Sequence, residues 1–198
     1  MSEISAEKVK ALREKTGLGM MKCKEALLAS GGDDEKAIEY LRKQGLKTAD
    51  KKSGRATEQG WIGSYVHSNG KVGVLVEVAC ESDFVAKGDD FQGLLKDLCL
   101  QITAMKPLAV GPDDVPEKIK ESERAIYREQ VKDKPDNIVE KILDGKMKAF
   151  YKERCLLQQE FVKDSSQTVQ DMVTAVIAKV GENITVRRFV RMEFGAEA

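Results

Sequence analysis

The chain reads as an α+β protein: a helical N-terminal module joined to a body with a small, mainly antiparallel three-stranded sheet packed by helices. Three observations predict this. Residues 1–46 repeat apolar positions at spacings of three and four between glycine stops. At Trp61 the pattern changes to runs of β-branched and aromatic residues around an Asn-Gly turn. The chain then closes on an alternating segment that needs a sheet to join.

In order, Ser5 is placed to cap a first helix with Val9 and Leu12 inside, and Gly17 supplies its stop. A second helix carries Met20, Cys23 and Leu27 and ends at Gly31-Gly32. Asp33 or Asp34 caps a third, which is expected to bury Ala37, Ile38 and Leu41 and to close at Gly45. Residues 47–60 are polar and punctuated by glycine, so they read as a linker between the 1–46 module and a 61–198 core domain. Strands are expected over Trp61–His67 and Lys71–Val78, with Asn69-Gly70 as a tight hairpin turn. A helix follows from near Asp90, with Phe91, Leu94, Leu95, Leu98, Ile102 and Met105 on its core face. Pro107–Pro116 reads as a loop, and helices are expected over Glu117–Val131 and Pro135–Arg154. A last helix, capped near Ser165 or Ser166, carries Val169, Val173, Val176, Ile177 and Val180 inward and stops at Gly181. The final segment, Asn183–Phe194, sets Ile184, Val186, Arg188, Val190, Met192 and Phe194 on one side and must return to pair with the hairpin.

Composition excludes several function classes. Acids and bases balance at 33 each, which argues against bulk nucleic-acid binding driven by excess positive charge. No apolar run approaches the roughly 18 residues that a membrane span needs, and Met1-Ser2-Glu3-Ile4 lacks the order of a secretion signal. Cys23, Cys80, Cys99 and Cys155 stand singly, so reduced, buried thiols in a cytoplasm are the expectation. His67 is the only histidine, which leaves no multi-histidine metal site and little for a proton relay. Gly63 and Gly70-Lys71 do not form a phosphate loop: the spacing is wrong and Val72 stands where a hydroxyl would hold magnesium. No catalytic residue, metal or cofactor is called for.

Glu81-Ser82-Asp83-Phe84-Val85-Ala86-Lys87 is the most informative stretch. It joins a strand to a helix and sets an acid beside a large aromatic. One reading is a helix cap followed by a core phenylalanine; the other is a protruding acid and apolar wedge offered to a partner. Met20 and Met21 divide similarly: adjacent methionines cannot both face inward on one helix, and an exposed one gives a soft, adaptable contact. A ubiquitin-type adaptor built on the three helices, or an enzyme using Asp83 with Lys or Tyr partners, are rival classes at this point.

Three stretches then match a family. Leu12 to Leu27 (LREKTGLGMMKCKEAL), Val72 to Lys87 (VGVLVEVACESDFVAK) and Lys179 to Phe189 (KVGENITVRRF) resemble elongation factor Ts, colinearly from near residue 5 to near residue 195. The resemblance implies a ubiquitin-associated-like fold for the three-helix module. It also implies a non-enzymatic, cytoplasmic guanine-nucleotide exchange factor for elongation factor Tu in translation elongation, acting without a cofactor. Glu81, Ser82, Asp83, Phe84 and Val85 would then disturb the partner's magnesium and phosphate site. Arg13, Met20, Met21, Lys24, Lys52 and His67 would dock on its GTPase domain. Ser82 stands where the family usually has threonine, which keeps a capping hydroxyl. The length resembles the compact form, which implies a homodimer. Val190 stands where some compact members carry a bridging cysteine, so no disulfide is expected to hold that dimer. Neither direct nucleic-acid nor membrane binding is implied.

Overall fold

The computed structural model describes residues 4–196, apart from the side chains of Asp136 and Asn137. Its helices are α1 (Ala6–Thr16), α2 (Met20–Ala29), α3 (Asp34–Lys52), α4 (Asp83–Lys87), α5 (Asp89–Met105), α6 (Glu117–Glu129), α7 (Asp136–Arg154) and α8 (Val169–Val180). Its strands are β1 (Gln59–Val66), β2 (Val72–Cys80), β3 (Glu160–Phe161), β4 (Asp164–Thr168) and β5 (Ile184–Glu193). The fold is α+β, as the sequence predicts. By internal contacts the chain forms two compact units. One comprises Met1–Trp61, Ala79–Leu94 and Val173–Thr185; the other comprises Ile62–Val78, Leu95–Met172 and Val186–Ala198. Among the described residues no helix is long and apolar enough to cross a membrane.

In the first unit, the Ser5 hydroxyl accepts the Lys8 N–H at 3.3 Å to start α1. Gly17, at φ 68°, ends it by returning its own N–H to the Arg13 carbonyl. Asp33, rather than Asp34, caps α3 by accepting from the Lys36 N–H at 3.0 Å. Val9, Leu12, Cys23, Ala26, Leu27, Ala37 and Leu41 form the core of the three helices. Two expectations fail here. Ile38 is substantially exposed, because the inward row of α3 runs Ala37, Leu41, Gly45 and position 38 lies about 100° around from it. Gly45 is no stop: α3 continues to Lys52, through the first part of the segment read as a linker. Gly45 is instead buried where α3 meets α8, and a Cβ there would lie 3.5 Å from Ala178 Cβ and 3.9 Å from Thr174 Cγ2.

The second unit holds the three-stranded antiparallel sheet in the order β1-β2-β5, so the last strand does return to the hairpin. The Phe194 N–H donates to the Lys71 carbonyl at 2.8 Å, and Arg188 Nε meets Glu77 at 2.6 Å, tying β5 to β2. The turn differs from a two-residue hairpin loop. Only Gly70 takes positive φ, at 68°, while Asn69 Oδ1 accepts the Lys71 N–H at 2.9 Å, giving a wider Asx-type loop over residues 68–71. Gly63 faces inward, where a Cβ would come within 3.1 Å of Leu95 Cδ2, 3.2 Å of Val76 Cγ1 and 3.3 Å of Cys99 Sγ. Its glycine lets α5 lie close to the sheet. Met105, expected on the core face of α5, is partly exposed in its last turn.

The stretch before α8 also departs from expectation. Ser165 and Ser166 lie in β4, which pairs antiparallel with β3. The helix is capped by Thr168, whose hydroxyl accepts the Asp171 N–H at 3.1 Å while Asp171 Oδ2 accepts the Thr168 N–H at 2.9 Å. Gln101, fully buried, supports this corner: its amide donates to the Glu160 carbonyl at 3.0 Å and to Gln159 Oε1 at 3.1 Å, and it accepts the Val162 N–H at 2.8 Å. All its main hydrogen-bonding valences are used, which is what makes a buried amide tolerable. Helices α6 and α7 pack on each other, with Arg124 and Arg128 both reaching Glu140.

Gly45→Ala should stabilise the fold by about 0.5–1 kcal/mol. The position is helical, the added methyl meets its neighbours at ordinary contact distance, and alanine restricts the unfolded chain. Urea denaturation monitored by circular dichroism would show the midpoint rise.

Candidate partner-binding site

Strand β2 ends at Cys80 and the chain turns directly into α4, so the geometry of Glu81 and Ser82 decides where Asp83 and Phe84 point. Ser82 is a true N-cap: its backbone is extended and its hydroxyl accepts the Val85 N–H at 3.3 Å. Val85 and Ala86 turn inward. Phe84 does the opposite, with 84% of its surface exposed. Burial therefore rejects the core-phenylalanine reading and leaves a large apolar ring in solvent, held on a capped turn.

Asp83 is also exposed, and its carboxylate accepts from the Lys87 ammonium at 2.8 Å, one helical turn later. That hydrogen bond and charge hold the Asp83 carboxyl below the usual aspartate range. Glu81 is likewise lowered, first by the Asn183 N–H that it accepts at 2.7 Å and then by Arg55, 3.4 Å away. Both acids are thus carboxylates at neutral pH. Beneath them, the buried Cys80 thiol donates to the Ser82 carbonyl at 3.1 Å; burial, with the Glu182 charge, raises its pKa.

On α2, Met20 is 40% and Met21 77% exposed, so both sulfur side chains reach the surface. Arg13 and Lys24 are exposed as well. Leu28, which the sequence did not single out, is exposed one turn beyond Lys24 and extends the apolar surface of α2. Lys52 is occupied within its own unit, its ammonium donating to the Gly181 carbonyl. All of these share the first unit with Asp83 and Phe84. His67 lies in the second, exposed at the hairpin, with its Nδ1 3.2 Å from the Tyr65 hydroxyl.

Glu182 and Asn183 escaped the sequence reading, although both lie within KVGENITVRRF. Glu182 receives both the backbone N–H and the hydroxyl of Ser82, at 2.9 and 2.7 Å. An acid directly after a helix stop was visible; its meeting with a serine 100 residues earlier was not. Among the described residues no group of three or more His, Cys, Asp or Glu could hold a metal ion.

Residues 35–176 match the family model described as Elongation factor TS. The chain belongs to the elongation factor Ts family. It is 55% identical to the elongation factor Ts of Fervidobacterium nodosum over 195 residues, covering 98% of this chain and 99% of that one. It is 53% identical to the protein of the same name from Nitratidesulfovibrio vulgaris, covering 98% of each chain. A third, from Desulforamulus reducens, is 54% identical, covering 98% of this chain and 91% of the relative. This family member is therefore a translation elongation factor.

The Asp83–Lys87 pair makes one measurable claim. A carboxyl lowered in the fold adds stability above its ordinary pKa and loses it as pH falls through the lowered value. Lys87→Ala should return the Asp83 carboxyl upward, towards the ordinary aspartate range, in a carboxyl-detected NMR titration.

Proposed function

We propose that this family member is the guanine-nucleotide exchange factor of elongation factor Tu, releasing GDP so that GTP can load. The observation that carries the reading is Phe84, a phenylalanine left in solvent beside an ionised aspartate on a short, capped helix. Exchange needs no covalent step. A factor that binds the nucleotide-free GTPase better than the GDP-bound one weakens GDP binding by the same factor, because the linkage is reciprocal. Each tenfold loss of GDP affinity needs about 1.4 kcal/mol of differential binding. Burying Phe84 between side chains of the partner would yield about 1.5–3 kcal/mol, enough to matter.

In this reading Phe84 displaces elements that hold the partner's magnesium and phosphates, and Asp83 brings a negative charge to the same rim. Loss of the metal leaves the diphosphate poorly compensated, and GDP leaves faster. The 1–46 module docks the wedge through Arg13, Met20, Met21 and Lys24, with Leu28 extending the contact. Val85 packs the turn from within, and Lys52 acts from beneath through its bond to Gly181. His67 is a second, separate contact from the hairpin. The work belongs in the cytoplasm, a setting supported by four free, buried cysteines.

The second copy expected of a compact family member has a surface to sit on. Ile62 and Val66 of β1, Leu75 of β2, Val190 and Met192 of β5, and Phe194 just beyond it are all at least half exposed, and those within the strands alternate with more inward residues. They run across the outer side of the sheet, where Glu77 and Arg188 also pair. An apolar sheet face of this extent suits an isologous contact, in which the same patch meets itself. Val190 in this row offers no thiol for a bridge.

Phe84→Ala should lower the maximal rate of release of a fluorescent GDP analogue from elongation factor Tu by about tenfold or more, as loss of one buried aromatic implies. Release equal to wild type at matched complex formation would remove the wedge. Leu75→Glu, at the centre of the sheet face, should halve the mass seen by light scattering, because two carboxylates would meet across the two-fold axis. A wild-type monomer would refute the dimer.

A further inference from the structure

Phe84 is 84% exposed and so has little packing of its own, and α4 has only five residues, too few for a helix to hold itself. Burial of Val85 and Ala86 holds the turn from one side, and a set of hydrogen bonds from outside α4 meets its start. The turn that follows α8 and the turn that precedes α4 are joined by two carboxylates working in opposite directions. Glu182 accepts from Ser82 at both its N–H and its hydroxyl, at 2.9 and 2.7 Å. Glu81 accepts from the Asn183 N–H at 2.7 Å.

The brace is itself anchored. Gly181, at φ 79°, ends α8 with its N–H on the Ile177 carbonyl at 2.9 Å, so Glu182 leaves from a fixed point. Asn183 is buried and donates its side-chain amide to the Arg55 carbonyl at 2.9 Å and more weakly to that of Ser53 at 3.4 Å. Lys52 bonds the Gly181 carbonyl from the end of α3. The chemistry at Ser82 is directional. Its hydroxyl proton goes to Glu182, which leaves an oxygen lone pair for the Val85 N–H, the bond that starts α4. A charged acceptor makes that arrangement stronger than a neutral one would.

We propose that Glu182 is a positioning residue for nucleotide release: it orients the Ser82 cap and, through it, the Phe84 ring, without touching the partner. This rests on the exchange reading above and deepens it. Glu182 then acts chiefly through Phe84, with a smaller share through Asp83 on the same turn, so its loss adds little once the ring is gone. A purely structural residue would behave otherwise, because its loss would add to that of Phe84.

The experiment measures release of a fluorescent GDP analogue from elongation factor Tu across a range of factor concentrations. It uses wild type, Glu182→Ala, Phe84→Ala and the double variant. Glu182→Gln, which keeps the shape and only one of the two acceptor oxygens, covers the case in which the alanine variant fails to fold. We expect Glu182→Ala to lower the maximal rate about tenfold with the half-saturating concentration changed less than about twofold, and Glu182→Gln to fall between it and wild type. The double variant should be less than about twofold slower than Phe84→Ala, far short of the product of the two single losses. A Glu182→Ala rate equal to wild type, a loss confined to the half-saturating concentration, or multiplicative losses in the double variant would each overturn the inference. If Glu182→Ala does not fold, a Glu182→Gln rate equal to wild type overturns it. Absence of release by wild type would overturn the exchange reading, and this inference with it.

Discussion

The return of the last strand to the hairpin is the constraint from which the rest follows. A two-stranded ribbon has too little pairing to persist in water, and β5 supplies the third strand by joining β2. The same return carries the turn between α8 and β5 to the place where β2 ends. Glu182 and Asn183 thereby meet Ser82 and Glu81, at a loop-closure cost that the sheet has already met. Sheet and site are consecutive along the chain: β5 completes the first, and the turn that leads into it braces the second.

Side-chain burial separates structural residues from those offered outward. Gln101 and Gln159 are buried with their amides hydrogen-bonded, Gly63 makes room for α5, and the four thiols are enclosed. Burial alone pushes the Cys99 thiol up to about 11, so it is inert at neutral pH. Against that well-satisfied interior, Phe84, Met21 and the outer row of the sheet stand apart as large apolar groups in solvent. Contiguous apolar exposure, as opposed to single scattered residues, is the kind that marks a contact surface. The charge pairs around them, such as Asp83–Lys87 and Glu77–Arg188, lie near the surface and shape direction more than stability.

An exchange mechanism suits such an inventory. It asks for a rigidly presented ring and charge, and for nothing that moves a proton or a bond. Rigidity would matter to such a mechanism because ordering the ring on binding would subtract from the interaction energy. A five-residue helix is a poor platform alone; capped by Ser82 and fastened to the α8–β5 turn, it becomes a fixed one.

Local chemistry was legible in the linear chain. Ser5, Gly17, Asp33, the β-branched run of β2 and the rows of α5 at spacings of three and four act through neighbours within a few residues, so the sequence alone determined most elements and the α+β class. Ser82 as a cap was equally local. The colinear stretches around Met20, Asp83 and Glu182 carried the family. Errors arose where a packing partner, a short pairing or the exact phase on a helix overrode a residue's own preference. Gly45 is a helix stop by propensity and a close-packing site once α8 lies against it; Ser165 and Ser166 could cap a helix but lie in β4 instead; Ile38 is out of phase with the inward row of α3. Tertiary structure alone decided that Phe84 faces solvent while Val85 faces in, and that Glu182 reaches Ser82. Periodicity specifies which residues share a face, whereas the partner of that face, and of any side chain 100 residues distant, exists only after the chain has closed on itself.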